Sequence, residues 1–317
     1  MEKTKGDANL ARAVDLLIQN VVPERKEEWN KLKQQYEPQF LFDADNPGRF
    51  FMGKIIGDNV VIFSARTLDV IWAFGFTAWR MLEANAAALF QQVPPYTLGT
   101  FVKLPDQANM DEAVADIIGN VDYIRCAPYI QSFVWPDGVP RVDEFLARVD
   151  DPTKRTKEEQ AAYDLTCMGM AFILLHEMQH LILEKDRKKP ANPHEEEYAC
   201  DRFALEYLMK HIDLTSADPR VLSKRAMGIV SAMFVLLALD IPAVWASPGP
   251  EHPSAIGRVQ AVIRELDIPD YDLAWILLGS LLVGLLRHHK SILPDLFAST
   301  PKGLCHQLIE RVGTVSK

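Results

Sequence analysis

The sequence predicts a mainly helical protein with a small β-sheet, an α+β chain, and three observations predict it. The segment from Phe172 to Leu183 is apolar except for His176, Glu177, Gln179 and His180, and it is long for a buried strand. Helical start and stop signals recur from Thr156 to the C-terminus. The β-prone runs are short; residues 50–56 and 60–63 flank Gly57-Asp58-Asn59 as the arms of a hairpin would.

Taken in order, residues 7–20 and 24–36 read as helices split at Pro23, which lacks the N–H that a continuous helix needs. After the hairpin, residues 68–90 form a long helix with Trp72, Phe76 and Trp79 on one stripe, the pattern of a core face. Pro94-Pro95 ends it, residues 96–104 suit a strand, and residues 111–123 suit a helix. A loop-rich stretch follows, with Pro128, Trp135, Pro136, Gly138 and Pro140. The charged connector of residues 150–155 leads to Thr156-Lys157-Glu158-Glu159, a capping box at the head of a helix running to about Lys185. Residues 186–193 form a loop, and Asn192 or His194 starts a helix through about Lys210. Asp218-Pro219 opens a helix over residues 220–239, closed by Asp240 and Pro242. Pro248-Gly249-Pro250 is a loop, His252-Pro253 begins the next helix, and residues 272–288 and 303–312 are helices that close the chain. No linker sets the histidine helix apart. Residues 1–317 therefore read as one domain, with a mixed α/β region at 1–150 and a helical region at 151–317.

A chain of 317 residues with 48% apolar and 24% charged residues has the makeup of an ordinary globular protein. Its net charge of −9 argues against direct nucleic-acid binding, and Arg187-Lys188-Lys189 reads as a solvated loop. Cys126, Cys167, Cys200 and Cys305 are scattered and form no close pair, so they read as reduced thiols of a cytoplasmic protein. The N-terminus leads into an amphipathic segment rather than an apolar signal core. The apolar stretches 226–239 and 273–286 are too short to span a bilayer, so they read as buried helices, and membrane association is not expected.

The chemistry lies in His176-Glu177-Met178-Gln179-His180. On a helix the two histidines stand one turn apart on one face, so both imidazoles can bind one metal ion. Glu177 projects beside that face, where it can act on water rather than on the metal. Zinc (Zn2+) needs a third protein ligand and one open position to do chemistry. Glu197, on the helix after the loop, can face the histidine pair, with His194 as a rival ligand. Asp201, one turn beyond Glu197, is placed to accept the remaining ring N–H of a ligand histidine. Glu195 and Glu196 read as a solvated acidic helix start. Arg258 can pair with Glu197 or Asp201, or lie on the surface.

HExxH followed by Glu-x-x-x-Asp on the next helix resembles the gluzincin peptidases, a zincin fold, and above all those of the M48 type. His252-Pro253-Ser254-Ala255-Ile256-Gly257-Arg258 is similar to the His-Pro-x-x-x-x-Arg segment of that group. The closer resemblance is to peptidase family U49, the Lit-type phage-exclusion peptidases. It rests on residues 68–74, 171–180, 196–201, 224–229 and 252–259, in that order. Cys200 departs from the pattern, which usually has alanine there. A thiol so placed is either an extra, inhibitory ligand or a small buried side chain. The resemblance implies a zinc metalloendopeptidase in which His252 donates to the tetrahedral oxyanion; Tyr198 is a weaker candidate for that donor. It also implies anti-phage defence through a host protein substrate, translation elongation factor Tu, after activation by a phage-derived peptide or protein. A structural zinc or non-catalytic binding protein, and a zinc hydrolase of a non-peptide substrate, are the competing readings.

Overall fold

The structure is a computed structural model. It describes residues 5–42, 54–56, 59–63, 71–75, 78–79, 82, 156–210, 218–244, 252–288 and 298–314. Helix α1 spans Lys5–Val21, a 3-10 turn Pro23–Arg25, and α2 Lys26–Tyr36; strands β1, β2 and β3 span Gln39–Phe42, Lys54–Ile56 and Val60–Phe63. After a helical segment at residues 71–75 come α3 (Lys157–Lys185), α4 (Pro193–Met209), α5 (Pro219–Val244), α6 (Ala255–Glu265), α7 (Leu273–His288) and α8 (Pro301–Thr314). The fold is thus mainly α with a small sheet, as the sequence predicts.

The sheet has the order β1-β3-β2. β2 and β3 pair antiparallel, with Ile55 opposite Val61, as the hairpin signal implies. β1 is an addition: it pairs parallel to β3, with Phe40 opposite Val61. Its four residues, Gln39-Phe40-Leu41-Phe42, are too few to show an alternation, so their strand character comes from this pairing. The expected elements at residues 96–104 and 111–123, and the loop-rich stretch after them, lie outside the described residues.

α3 is the central helix. It begins where Thr156 Oγ1 accepts the Glu159 N–H at 3.1 Å and the Glu159 carboxylate accepts the Thr156 N–H at 2.9 Å. From Gly169 to Met178 every residue is buried, because α1, α4, α5 and the sheet surround it. Length and composition alone would let α3 cross a membrane, but its apolar faces are covered by the rest of the chain. α3 ends in a Schellman turn: Arg187 has φ 55°, and the Lys188 and Arg187 N–H groups bond Leu183 O and Glu184 O.

Two close crossings hold α3. At Gly75 a Cβ would lie 2.5 Å from Thr166 Oγ1 and 2.7 Å from Ala162 O. At Gly228 on α5 a Cβ would overlap Met168 Cβ and sit 3.0 Å from Met168 backbone carbons. Three bonds from arginines fix the end of α4. Arg25 donates to Glu206 O (3.1 Å) and Tyr207 O (2.8 Å), and Arg225 donates to Leu208 O (3.1 Å). Arg225, buried, also forks onto the Glu24 carboxylate at 2.6 and 3.0 Å. The Lys224–Ile229 segment therefore serves the scaffold.

Two helix boundaries differ from expectation. α5 runs through Asp240 and Pro242 to Val244, because a proline near a helix end removes only one ladder bond. α6 starts after His252-Pro253: Ser254 is its N-cap, its hydroxyl accepting the Gly257 N–H at 3.2 Å. One connected cluster of buried side chains runs from Val14 to Val312, and the 226–239 and 273–286 stretches contribute to it.

The crossing geometry predicts opposite effects for two α-helical glycines. Gly228→Ala should destabilise the protein by about 1–3 kcal/mol through overpacking against Met168. Gly169→Ala, whose Cβ would meet Gly228 O at an ordinary 3.5 Å, should be neutral or stabilising by up to about 1 kcal/mol. Denaturant unfolding of both variants decides the matter; equal effects would contradict the close crossing.

Candidate active site

α3 supplies His176, Glu177 and His180; α4 supplies Glu196, Glu197, Cys200 and Asp201; the turn into α6 and its first turns supply His252 and Arg258. The loop of residues 186–192 reverses the chain so that α4 packs against α3. Asn192 caps α4, its side chain accepting the His194 N–H at 3.0 Å. The first turns of α4 thereby point their carboxylates at the histidine pair.

The two imidazoles face each other with Nε2 atoms 3.1 Å apart. Glu197 Oε2 lies 3.5 Å from His176 Nε2, and Glu197 Oε1 lies 3.6 Å from His180 Nε2. Each Nδ1 meets its own carboxylate, His176 with Asp201 at 2.9 Å and His180 with Glu196 at 2.7 Å. A carboxylate at Nδ1 accepts a hydrogen bond from the ring N–H there, which in the neutral rings leaves both Nε2 lone pairs turned toward one point. Two lone pairs at 3.1 Å repel unless a proton or a metal ion lies between them. Metal–nitrogen and metal–oxygen bonds of about 2.0–2.2 Å at tetrahedral angles put donor atoms roughly 3.3 Å apart, close to the three separations here.

Charge supports the same conclusion. Glu177, Glu196, Glu197 and Asp201 are all buried, with Arg258 as the buried cation among them. Arg258 donates from Nε and Nη2 to Asp201 at 2.8 and 2.7 Å, and from Nη1 reaches Glu197 Oε2 at 2.9 Å. It therefore pairs with both carboxylates that the sequence offered as alternatives. His252 Nδ1 meets Glu197 Oε1 at 2.9 Å while its ring is 67% exposed. Arg258 among the carboxylates and the Lys189 ammonium 3.3 Å from Glu196 are fewer cations than the four carboxylates gathered there, so the cage suits a dication.

Protonation follows from this environment. Burial opposes a charge on His176, but the Asp201 and Glu197 carboxylates outweigh it and push the imidazole up to about 9. For Asp201, burial works upward, yet Arg258 and His176 hold it down at about 2. Glu197 is likewise held well below the usual carboxylate range by His176, His252 and Arg258, against the effect of burial. Burial and then the Glu197 and Glu177 carboxylates drive the Cys200 thiol far up.

His176, His180 and Cys200 form a cluster whose donor atoms lie within 4.8 Å of one another, so the thiol sits at the edge of the same site. Glu197 is the better third donor, because it is already ionised, whereas the thiol must first lose its proton among carboxylates. His194 stands at the first turn of α4 and is not part of that cluster. Tyr198 is half-buried, with its hydroxyl 3.1 Å from where a Gly257 Cβ would be, beside α6.

Glu196 escapes the sequence reading, which leaves it on a solvated helix start with Glu195. Glu195 is exposed, but Glu196 is buried against His180. A histidine that offers one ring nitrogen to a metal needs an acceptor at the other. Asp201 alone satisfies one of the two, and this shortfall was the available signal.

The shifts predict how metal-free protein responds to pH. His176 is raised above its ordinary 6.5, so its contribution to stability is complete below about pH 6.5 and is lost as pH rises through about 9. Asp201 is depressed below 3.8, so its contribution is present above that value and is lost as pH falls toward about 2. With a chelator present, the melting temperature should fall between pH 6.5 and 9; a flat profile would contradict the cage geometry.

The family description Peptidase U49 matches residues 61–278, from β3 into α7, a span that holds every residue of this site. The cell death peptidase of Escherichia coli (strain K12) is 22% identical over 203 residues, which cover 64% of this chain and 62% of that protein. The match thus spans less than two thirds of the relative's length. No solved structure matches the chain. With the paired histidines, their carboxylates and the matched span taken together, this chain belongs to the peptidase U49 family.

Proposed function

We propose that this protein is a cytoplasmic zinc metalloendopeptidase that cuts a host protein in anti-phage defence. The observation that carries the chemistry is the convergence of His176 Nε2, His180 Nε2 and the Glu197 carboxylate at metal-donor spacing, with Glu177 buried beside them. These three residues would hold the ion, and zinc bound there would supply a Lewis acid able to polarise a carbonyl and to lower the pKa of water toward about 7.

The remaining steps belong to the chain. Glu177 takes the proton of the attacking water and passes it to the leaving amine. Asp201 fixes His176 in one tautomer, and Arg258, forked onto Asp201 and touching Glu197, keeps both carboxylates ionised and in place. His252 lies at the exposed edge, where a substrate carbonyl can approach. Its Nδ1–H is committed to Glu197, so Nε2, when it carries a proton, is the donor it would offer the oxyanion.

Cys200 favours a second reading, a closed structural zinc site with the thiol as fourth donor. The two readings differ in whether a position remains for water. Glu177→Gln should fold and keep one zinc per chain, yet lose proteolysis, since an amide cannot accept the proton. His176→Ala and Glu197→Ala should each lower zinc content strongly. Full zinc content in Glu197→Ala would remove it as a ligand and bring Cys200 or His194 forward. Normal turnover in Glu177→Gln would end its role as base.

The substrate reading rests on the family resemblance and on the relative's description as a cell death peptidase. An enzyme that cuts an essential host protein has to be latent in healthy cells, so a phage-derived peptide or protein is the activator in this reading. Elongation factor Tu is the substrate it names. Purified elongation factor Tu incubated with enzyme and infected-cell extract should be cleaved in wild type and not in Glu177→Gln. Intact factor beside another protein cut in a Glu177-dependent way would replace the substrate and leave the mechanism standing. Equal toxicity in infected and uninfected cells would count against latency.

A further inference from the structure

The two ligand histidines are held by unequal carboxylates. Asp201, on His176, is buried and forked by the buried Arg258. Glu196, on His180, is equally buried, but its cation is Lys189, whose Nζ lies 3.3 Å from Glu196 Oε1. Lys189 belongs to the loop joining α3 and α4, its side chain is 54% exposed, and Nζ also lies 3.8 Å from Glu184 Oε2 at the end of α3. One oxygen, Glu196 Oε1, thus receives both the His180 ring proton at 2.7 Å and the Lys189 ammonium.

Resting on the metallopeptidase reading above, we propose that Glu196 is the positioning residue of His180 and that Lys189 couples this half of the metal site to the charge of the α3–α4 loop. A full negative charge on Glu196 fixes the His180 tautomer and raises the electron density that Nε2 offers a metal. The ammonium on the same oxygen withdraws part of that charge and repels a dication directly. Because Lys189 is exposed, salt or an anionic partner on the loop can screen it, whereas Arg258 on the His176 side is shielded from both.

The test reads metal binding rather than proteolysis, on the full chain, by chelator competition with zinc and by the visible spectrum of the cobalt-substituted protein. Glu196→Gln is nearly isosteric and still offers His180 an acceptor oxygen. It should nonetheless lower zinc affinity by about 10–100-fold and shift the cobalt bands, because the charge is gone. A merely structural Glu196 predicts unchanged affinity and an unchanged spectrum in that variant, and that result overturns the inference. Lys189→Ala, at an exposed position, should raise affinity by about two- to fivefold at low salt, and the gain should vanish at high salt. Wild-type affinity in Lys189→Ala at low salt overturns the coupling to the loop. Wild-type protein that binds neither zinc nor cobalt overturns the metal reading itself, a result distinct from a binding wild type matched by Glu196→Gln.

Discussion

The structure is organised around a buried excess of negative charge facing two imidazoles. Four carboxylates are drawn out of water at one place, and Arg258 is the guanidinium set among them. Desolvating so many anions costs several kcal/mol each unless cations meet them. In the metal-free protein the nearest remedy is a proton on His176, which its environment holds up to about 9. A dication held there would compete for the same nitrogens, which would link metal binding, protonation and fold stability through the facing Nε2 atoms of His176 and His180.

Keeping that geometry requires rigid neighbours. α3 can bring ionisable groups into the interior because its middle is buried on all sides and its crossing with α5 is tightened at Gly228. α4 must hold its first turns against α3, and its far end is fixed by Arg25 and Arg225 on its last carbonyls. The ion pair from Arg225 to Glu24 links this end to the N-terminal turn. The N-terminal helices thus bear on the helices of the candidate site through backbone carbonyls rather than through the site itself.

The site has a closed and an open side. Asp201, Arg258 and Cys200 make a buried floor, while His252 at the mouth is largely exposed and reaches back to Glu197. That division suits a hydrolase: the groups that hold charge are shielded, and the histidine at the mouth is accessible. Membership of a peptidase family gives the same direction to the chemistry.

Much of the site was legible in the chain, because HExxH followed by Glu-x-x-x-Asp is a local pattern whose helical spacing alone puts the histidines on one face and Asp201 beside Glu197. The capping box at Thr156, the Asn192 cap and the β2–β3 hairpin were legible for the same reason: each depends on residues close in sequence. What escaped depends on distant partners. β1 is a strand because β3 lies beside it, and Glu196 is buried because His180 needs an acceptor across the helix pair. The sequence by itself determined the paired histidines and the carboxylates near them, their helices and the family. Only the tertiary structure decided that Arg258 serves both Glu197 and Asp201, that His252 is tied to Glu197 and that Gly228 is a crossing point. Those facts are set by packing between elements, which no local spacing encodes.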